Sequence, residues 1–211
     1  MQGFLRLFPL NWVIFPGEII NLHIFEPRYK QLIGECVETG EPFGVPLFLE
    51  HVRYFGSMVQ LVEIRKKYPD GKLDITAKGV EPFEILNFAP QVENKLYPGG
   101  KVKTRPVSYG FNEKEAQCLI LLLQTFFELV GIRPKEFETA APDMISFTIG
   151  HKIGLTLGQE FDLLMIEDER DRQAFLTEHL ENTIPTLQQA TVAKKRIQMN
   201  GHFKNFDPLH F

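Results

Sequence analysis

The spacing of apolar residues changes period near residue 111, and that change constrains the fold more than any motif does. Before it, the runs 44–49, 57–64, 72–77, 83–88 and 102–107 are short and either alternate apolar with polar or are apolar throughout, as strands are. Turn signals separate them. Asp70-Gly71, set between Val59-Leu61-Glu63 and Leu73-Ile75, predicts a hairpin. Six or so short strands with one or two helices predict a closed or nearly closed β-barrel, with Gly17, Gly44, Gly56 and Gly79 where such a barrel bends or lets backbones approach.

Beyond residue 111 the helical period takes over. Asn112 with Glu115 predicts a capping box and Gly131 a stop, and the run 119–130 is apolar on nearly every side, as in a deeply buried helix. A second helix is expected over 142–154, with Ile145, Ile149 and Ile153 on one face. Thr156 and Gln159 cap a third, whose apolar face is Leu157, Phe161 and Leu164. A fourth starts near Asp168 and shows Phe175, Leu176, Leu180 and Ile184; Pro185 should kink or divide it before a polar continuation to Met199-Asn200-Gly201. The expected class is α+β, with a β-rich subdomain over 1–111 and a helical subdomain over 112–211 that ends in a short tail, 202–211, holding three Phe.

Composition narrows the functional classes. With 44% apolar residues and 19 Phe among 211, the chain can build a substantial core, and its apolar runs are far short of the ~20 residues a membrane span needs. Met1-Gln2-Gly3-Phe4 lacks the basic start of a signal peptide, so a cytoplasmic location is expected, with Cys36 and Cys118 as thiols. Net charge is −4, with 13 basic and 12 acidic groups up to residue 111 and 10 and 15 after it, which argues against a nucleic-acid binder. Arg65-Lys66-Lys67 beside a turn reads as a solvated hairpin.

Motifs of chemistry are missing. The sequence has no GxxxxGK[ST], GxGxxG, HExxH or CxxC, and its three serines, Ser57, Ser108 and Ser146, lie in no GxSxG elbow. The six histidines, His23, His51, His151, His179, His202 and His210, never fall at metal-ligand spacing. Glu167-Asp168-Glu169 with Asp171 reads as an acidic helix start rather than as paired catalytic carboxylates. No catalytic residue, cofactor or metal is therefore expected, and a binding module is favoured over an enzyme.

One corner carries more information. Ile20, Leu22 and Ile24 alternate with Asn21 and His23, after which Phe25-Glu26-Pro27-Arg28-Tyr29 sets two charges around a proline. Pro27 biases Glu26 away from helix, so a strand should stop near Phe25 and a helix begin at or just after Pro27. Glu26 and Arg28 are read as architecture, in a partly buried network whose loss in Arg28→Ala would cost on the order of 2 kcal/mol.

Together with Leu7-Phe8-Pro9-Leu10 and Val13-Ile14-Phe15-Pro16-Gly17-Glu18, this corner resembles the signature that opens the Lon amino-terminal domain family. Phe43-Gly44-Val45, Gly56-Ser57 and Asp70-Gly71-Lys72-Leu73 resemble later landmarks, and 149–165 with Arg172 and Leu180 is similar to the helical part. Glu81-Pro82-Phe83 stands where the family usually has an Arg-Phe pair. The resemblance implies a pseudo-barrel related to the PUA fold, packed on a helical bundle, in a stand-alone form without the ATPase and peptidase of the Lon protease. It assigns Pro16, Gly17, Phe25, Glu26, Pro27, Arg28 and Tyr29 to the structural signature.

The function so implied is binding of unfolded or partly folded polypeptides, alone or as an adaptor in protein quality control with a protease or another machine as partner. Phe4, Trp12, Phe15 and Tyr54 are the candidate exposed aromatics for such clients. The alternative is a PUA-like barrel that binds a small molecule or RNA.

Overall fold

The computed structural model describes residues 2–48 and 52–202. Six strands among them form one antiparallel sheet: β1 (Gln2–Arg6), β2 (Ile19–Ile24), β3 (Phe43–Phe48), β4 (Val52–Lys67), β5 (Leu73–Ala89) and β6 (Gly99–Thr104). Helix α1 (Pro27–Thr39) interrupts them, and α2 (Glu113–Val130), α3 (Lys135–Thr139), α4 (Ile145–Ile149), α5 (Leu157–Met165) and α6 (Glu169–His202) follow. A 3-10 turn, Gly150–Lys152, continues α4. The expected α+β order is thus present. The tail 203–211, with His210, and His51 lie outside the described residues.

The strand order is β1-β6-β5-β4-β3, with β2 on β5. Past β1 the chain crosses to β3, where Phe8 N donates to Gly44 O (2.8 Å) and Leu10 N to Pro46 O (3.2 Å), so the two ends of the path meet and the barrel nearly closes. The runs 72–77 and 83–88 are one strand, not two. β5 has 17 residues and bends at Gly79, where the register with β4 slips between Met58 and Val59. A Cβ on Gly79 would sit 2.1 Å from Phe15 O, so the glycine marks a crossing of backbones inside a strand rather than its end. The bend lets β5 pair β2 with its first half and β6 with its second.

The helices start where their caps predict. Asn112 Oδ1 accepts from Lys114 N and Glu115 N at 3.0 and 3.3 Å, and Thr156 with Gln159 forms a full capping box. The Glu115 carboxylate does not close a box of its own: it takes both donors of Arg170 at 2.8 and 2.9 Å. α2 is also less buried than its composition implies. Ala116, Leu119, Leu123, Phe126 and Phe127 face inward, whereas Leu121 and Val130 are exposed, because among the described residues α2 packs chiefly along the side that faces α6. Pro185 sits within α6 without dividing it.

The core crosses between the halves. Val13, Phe15 and Leu47, from the β half, belong to the same buried cluster as Leu119, Phe147, Ile149, Ile153, Leu163 and Leu176. Next to this cluster the acidic run has a role not legible in its charges. Glu169 and Arg172 are fully buried and paired at 2.9 Å; Arg172 also donates to Ser146 Oγ (3.0 Å) and to the carbonyls of Ser108 (2.8 Å), Ile166 (2.9 Å) and Glu167 (2.6 Å).

The Glu26–Arg28 pair, expected to be partly buried, is exposed: the contact is 2.7 Å, but 46% of the Arg28 side chain and 37% of Glu26 remain open to solvent. Pro27 turns both side chains outward at the first turn of α1, and the Glu26 carbonyl, not its carboxylate, accepts from Tyr29 N and Lys30 N. Of the signature, Pro16 and Tyr29 are buried, the latter stacked on Phe8 at 3.9 Å, while Phe25 is exposed.

Glu35 on α1 ties three elements together. It accepts from Arg6 on β1 (3.2 Å), from Lys95 (2.8 Å) and from the Tyr97 hydroxyl. Burial alone would push its carboxyl up, but donation from Lys95, Tyr97 and Arg6 outweighs this and holds it at about 2, against an ordinary 4.5. A carboxyl with a depressed folded pKa contributes stability that is complete above the unfolded value and is lost as pH falls through the folded one. Stability should therefore decline from about pH 4.5 toward pH 2, and Glu35→Gln should flatten that limb in urea titrations at successive pH.

Two arginines make a second test. Arg28→Ala, an exposed pair, should cost less than about 1 kcal/mol of unfolding free energy. Arg172→Ala, which strands the Glu169 carboxylate in the core, should cost about 3–5 kcal/mol. Comparable losses for the two variants in urea unfolding would overturn the distinction.

Candidate functional site

A cavity opens where the two halves meet. Its volume is about 830 Å³. From the β half come Asn11, Trp12 and the run Pro16-Gly17-Glu18-Ile19; from the helical half come Met144, Phe147, His151, Leu157 and Glu160, with Glu136, Thr148 and Lys152 also at its wall.

The sequence builds the β side with a turn. Gly17 has φ of +85°, a conformation other residues rarely adopt, and its N–H donates to Gly79 O at 2.9 Å while Gly79 N returns a bond to Glu18 O at 2.9 Å. The turn is thus bolted to the bend of β5, and Glu18 stands at the cleft. Opposite it, α4 ends in the 3-10 turn that carries His151, and the capped start of α5 carries Leu157 and Glu160.

His151 joins the two sides. Nδ1 lies 2.8 Å from Glu160 Oε1 and Nε2 lies 3.2 Å from Glu18 Oε2, which also accepts from Phe15 N at 2.9 Å. The ring rests against Phe15, with centroids 4.4 Å apart. With a carboxylate at each nitrogen both must donate, so the imidazolium fits the site. Burial lowers the His151 pKa, but the hydrogen bonds and charges of Glu18 and Glu160 outweigh it and raise the value above the ordinary 6.5. The arrangement holds charge at an apolar wall, with Phe15 and Phe147 beside the ring and its two carboxylate partners.

The sequence-named residues are scattered. Trp12 lines the cleft, as do Pro16 and Gly17. Phe4 and Tyr54 are exposed at 54% and 64% but lie elsewhere, on β1 and β4. Phe15 is not an exposed aromatic. It is completely buried, packed on Phe147 at 5.3 Å, because it is the β half's plug in the shared helical core. Sequence reasoning missed Glu18, Ile19, Met144, His151, Leu157 and Glu160. Glu18 followed the Pro16-Gly17 turn and could have been found there; His151 and Glu160 meet it only through the tertiary fold. Among the described residues no group of three or more His, Cys, Asp or Glu could hold a metal ion, and no helix is long and apolar enough to cross a membrane.

A family model described as the ATP-dependent protease La (LON) substrate-binding domain matches residues 5–188. The chain belongs to that family. Among solved structures it is similar to a Lon N-terminal domain protein from Xanthomonas campestris, at 26% identity and a TM-score of 0.65, over 82% of this chain and 96% of that one. It also shares the fold of the N-terminal domain of the Mycobacterium avium complex Lon protease, at 14% identity and a TM-score of 0.62, over 85% of this chain and 98% of that one. The Lon substrate-binding match spans the whole cleft, Asn11 through Glu160, and the Arg172 network.

A group with a raised folded pKa contributes stability that is complete below the unfolded value and is lost as pH rises through the folded one. Unfolding free energy should therefore fall as pH rises from about 6.5 through the higher pKa of His151, and His151→Asn should remove that slope. An imidazole titrating at or below 6.5 by NMR would contradict the bridge.

Proposed function

We propose that this chain is a non-catalytic polypeptide-binding module of the Lon substrate-binding type, working in the cytoplasm alone or as an adaptor for a protease or another machine. The observation that carries the reading is the cleft between the halves: about 830 Å³, walled by Trp12, Ile19, Met144, Phe147 and Leu157, in a chain matched along 184 of its residues to a substrate-binding family. Apolar side chains exposed in an unfolded segment would find there the surface they lack in water. Met144 supplies an adaptable wall, which suits clients of varied sequence. The net charge of −4 and the carboxylates of Glu18, Glu136 and Glu160 favour polypeptide over RNA.

A second reading draws on the same volume, which lies within the roughly 300–1,000 Å³ of small-molecule sites. The two readings separate in one experiment, because Trp12 is the chain's one tryptophan and lines the cleft. Reduced, carboxymethylated α-lactalbumin titrated against the protein, with resonance transfer from Trp12 to an acceptor on the client, should show saturable binding. Ile19→Asp, at a residue 55% exposed, should leave the melting temperature near that of the parent and weaken binding about tenfold. Unchanged client affinity in Ile19→Asp would sink the cleft assignment, and a metabolite that shifts melting and Trp12 emission while no client binds would favour the small-molecule reading.

A further inference from the structure

β2 is paired on one side only. It runs against the first half of β5, from Ile19↔Lys78 to Ile24↔Leu73, and among the described residues no other strand joins it. In an antiparallel ladder successive residues direct their N–H and C=O groups to opposite sides. Half of the peptide groups of β2 therefore point away from β5, and among the described residues no hydrogen bond meets them. Ile19, Asn21 and His23 are exposed along the strand. Its neighbours in the sheet manage their edges differently: β1 is covered by β6, and the chain after β1 bonds to β3.

The open edge leads into the cleft. Ile19 is both the first residue of β2 and a wall of the cavity, and Pro16, Gly17 and Glu18 extend the same line along its floor. The charge there is negative by one: Glu136 pairs with Lys152 at 3.8 Å, whereas Glu18 and Glu160 share the one His151 imidazolium between them. An occupant of that edge needs a row of backbone donors and acceptors, an apolar side chain and positive charge, all of which one extended segment of protein can supply.

We propose that the free edge of β2 adds a strand from an extended, basic segment of polypeptide, which places an apolar side chain in the cleft and a Lys or Arg beside Glu18 and Glu160. The proposal rests on the polypeptide-binding reading and specifies how it works. Backbone pairing supplies affinity without regard to sequence, and the cleft selects the residue that enters it.

The test uses the full chain and the amidated peptide Arg-Val-Arg-Val-Phe-Val-Arg-Val-Arg, followed by Trp12 emission and calorimetry. Peptides N-methylated at alternate nitrogens form two sets. One set should lose at least about tenfold in affinity at each position, as blocking a backbone bond does, while the interleaved set binds as the parent does. Equal affinity in the two sets overturns the added strand and leaves the cleft reading in place. Failure of the peptide to bind while carboxymethylated α-lactalbumin binds also overturns the inference alone, and failure of both overturns the function with it. A Glu-for-Arg peptide that binds equally well removes the charge assignment. Sedimentation showing a dimer of the free protein, broken by Asn21→Lys with the fold intact by circular dichroism, would assign the edge to a second copy and overturn the proposal.

Discussion

Arg172 holds together the parts that make the site. Its guanidinium, shut away from water, satisfies carbonyls at Ser108, Ile166 and Glu167 and meets Ser146 and Glu169. Ser108 lies in the connection from the barrel and Ser146 in α4, both distant in sequence, whereas Ile166, Glu167 and Glu169 span the short link from α5 to α6. A charge buried this way is tolerable only when all its donors are used and a counter-charge is at hand, and Glu169 provides it. The same guanidinium lies 4.2 Å over the ring of Phe147, whose ring packs on Phe15 and whose side chain walls the cleft. The electrostatic knot and the apolar site therefore share a residue.

The location of the cleft follows from this construction. Neither half owns it: the Pro16-Gly17 turn is fixed by Gly79 on the bent strand, and His151 by the turn that ends α4. Cavities form readily where two packed units meet, because each unit's own elements pack to their own periods and match poorly at the joint. Here the mismatch is lined by Trp12, Ile19, Met144 and Leu157 and is bridged at one point by an imidazole between carboxylates.

Elements governed by local chemistry were legible in the sequence. Pro27 starts α1, Gly131 ends α2 in a left-handed conformation, and Thr156 with Gln159 caps α5, each decided within a few residues. The charged groups were the reverse. Glu26 and Arg28 are neighbours in sequence, where the pattern suggests a partly buried network, yet they lie outside; Glu18, His151 and Glu160 are up to 142 residues apart and meet in the cleft. Gly79 was seen as a place where backbones approach, but whether the strand breaks or bends there depends on Phe15, which the local pattern does not contain. Phe15 itself, one of 19 phenylalanines, could not be told from an exposed aromatic without the helices that bury it.

α6 has one more consequence. Its 34 residues, at about 1.5 Å each, make a rod on the order of 50 Å long. Among the residues whose side chains are described, its buried contacts run from Glu169 to Ile184, with Leu187 partly packed beyond them. Leu176, Leu180 and Ile184 form its seat on the shared core, and Arg172 lies one turn before them. Arg172 lies in the first turn of this helix with its guanidinium over Phe147, so the seat of the long rod and the wall of the cleft meet at a single aromatic ring.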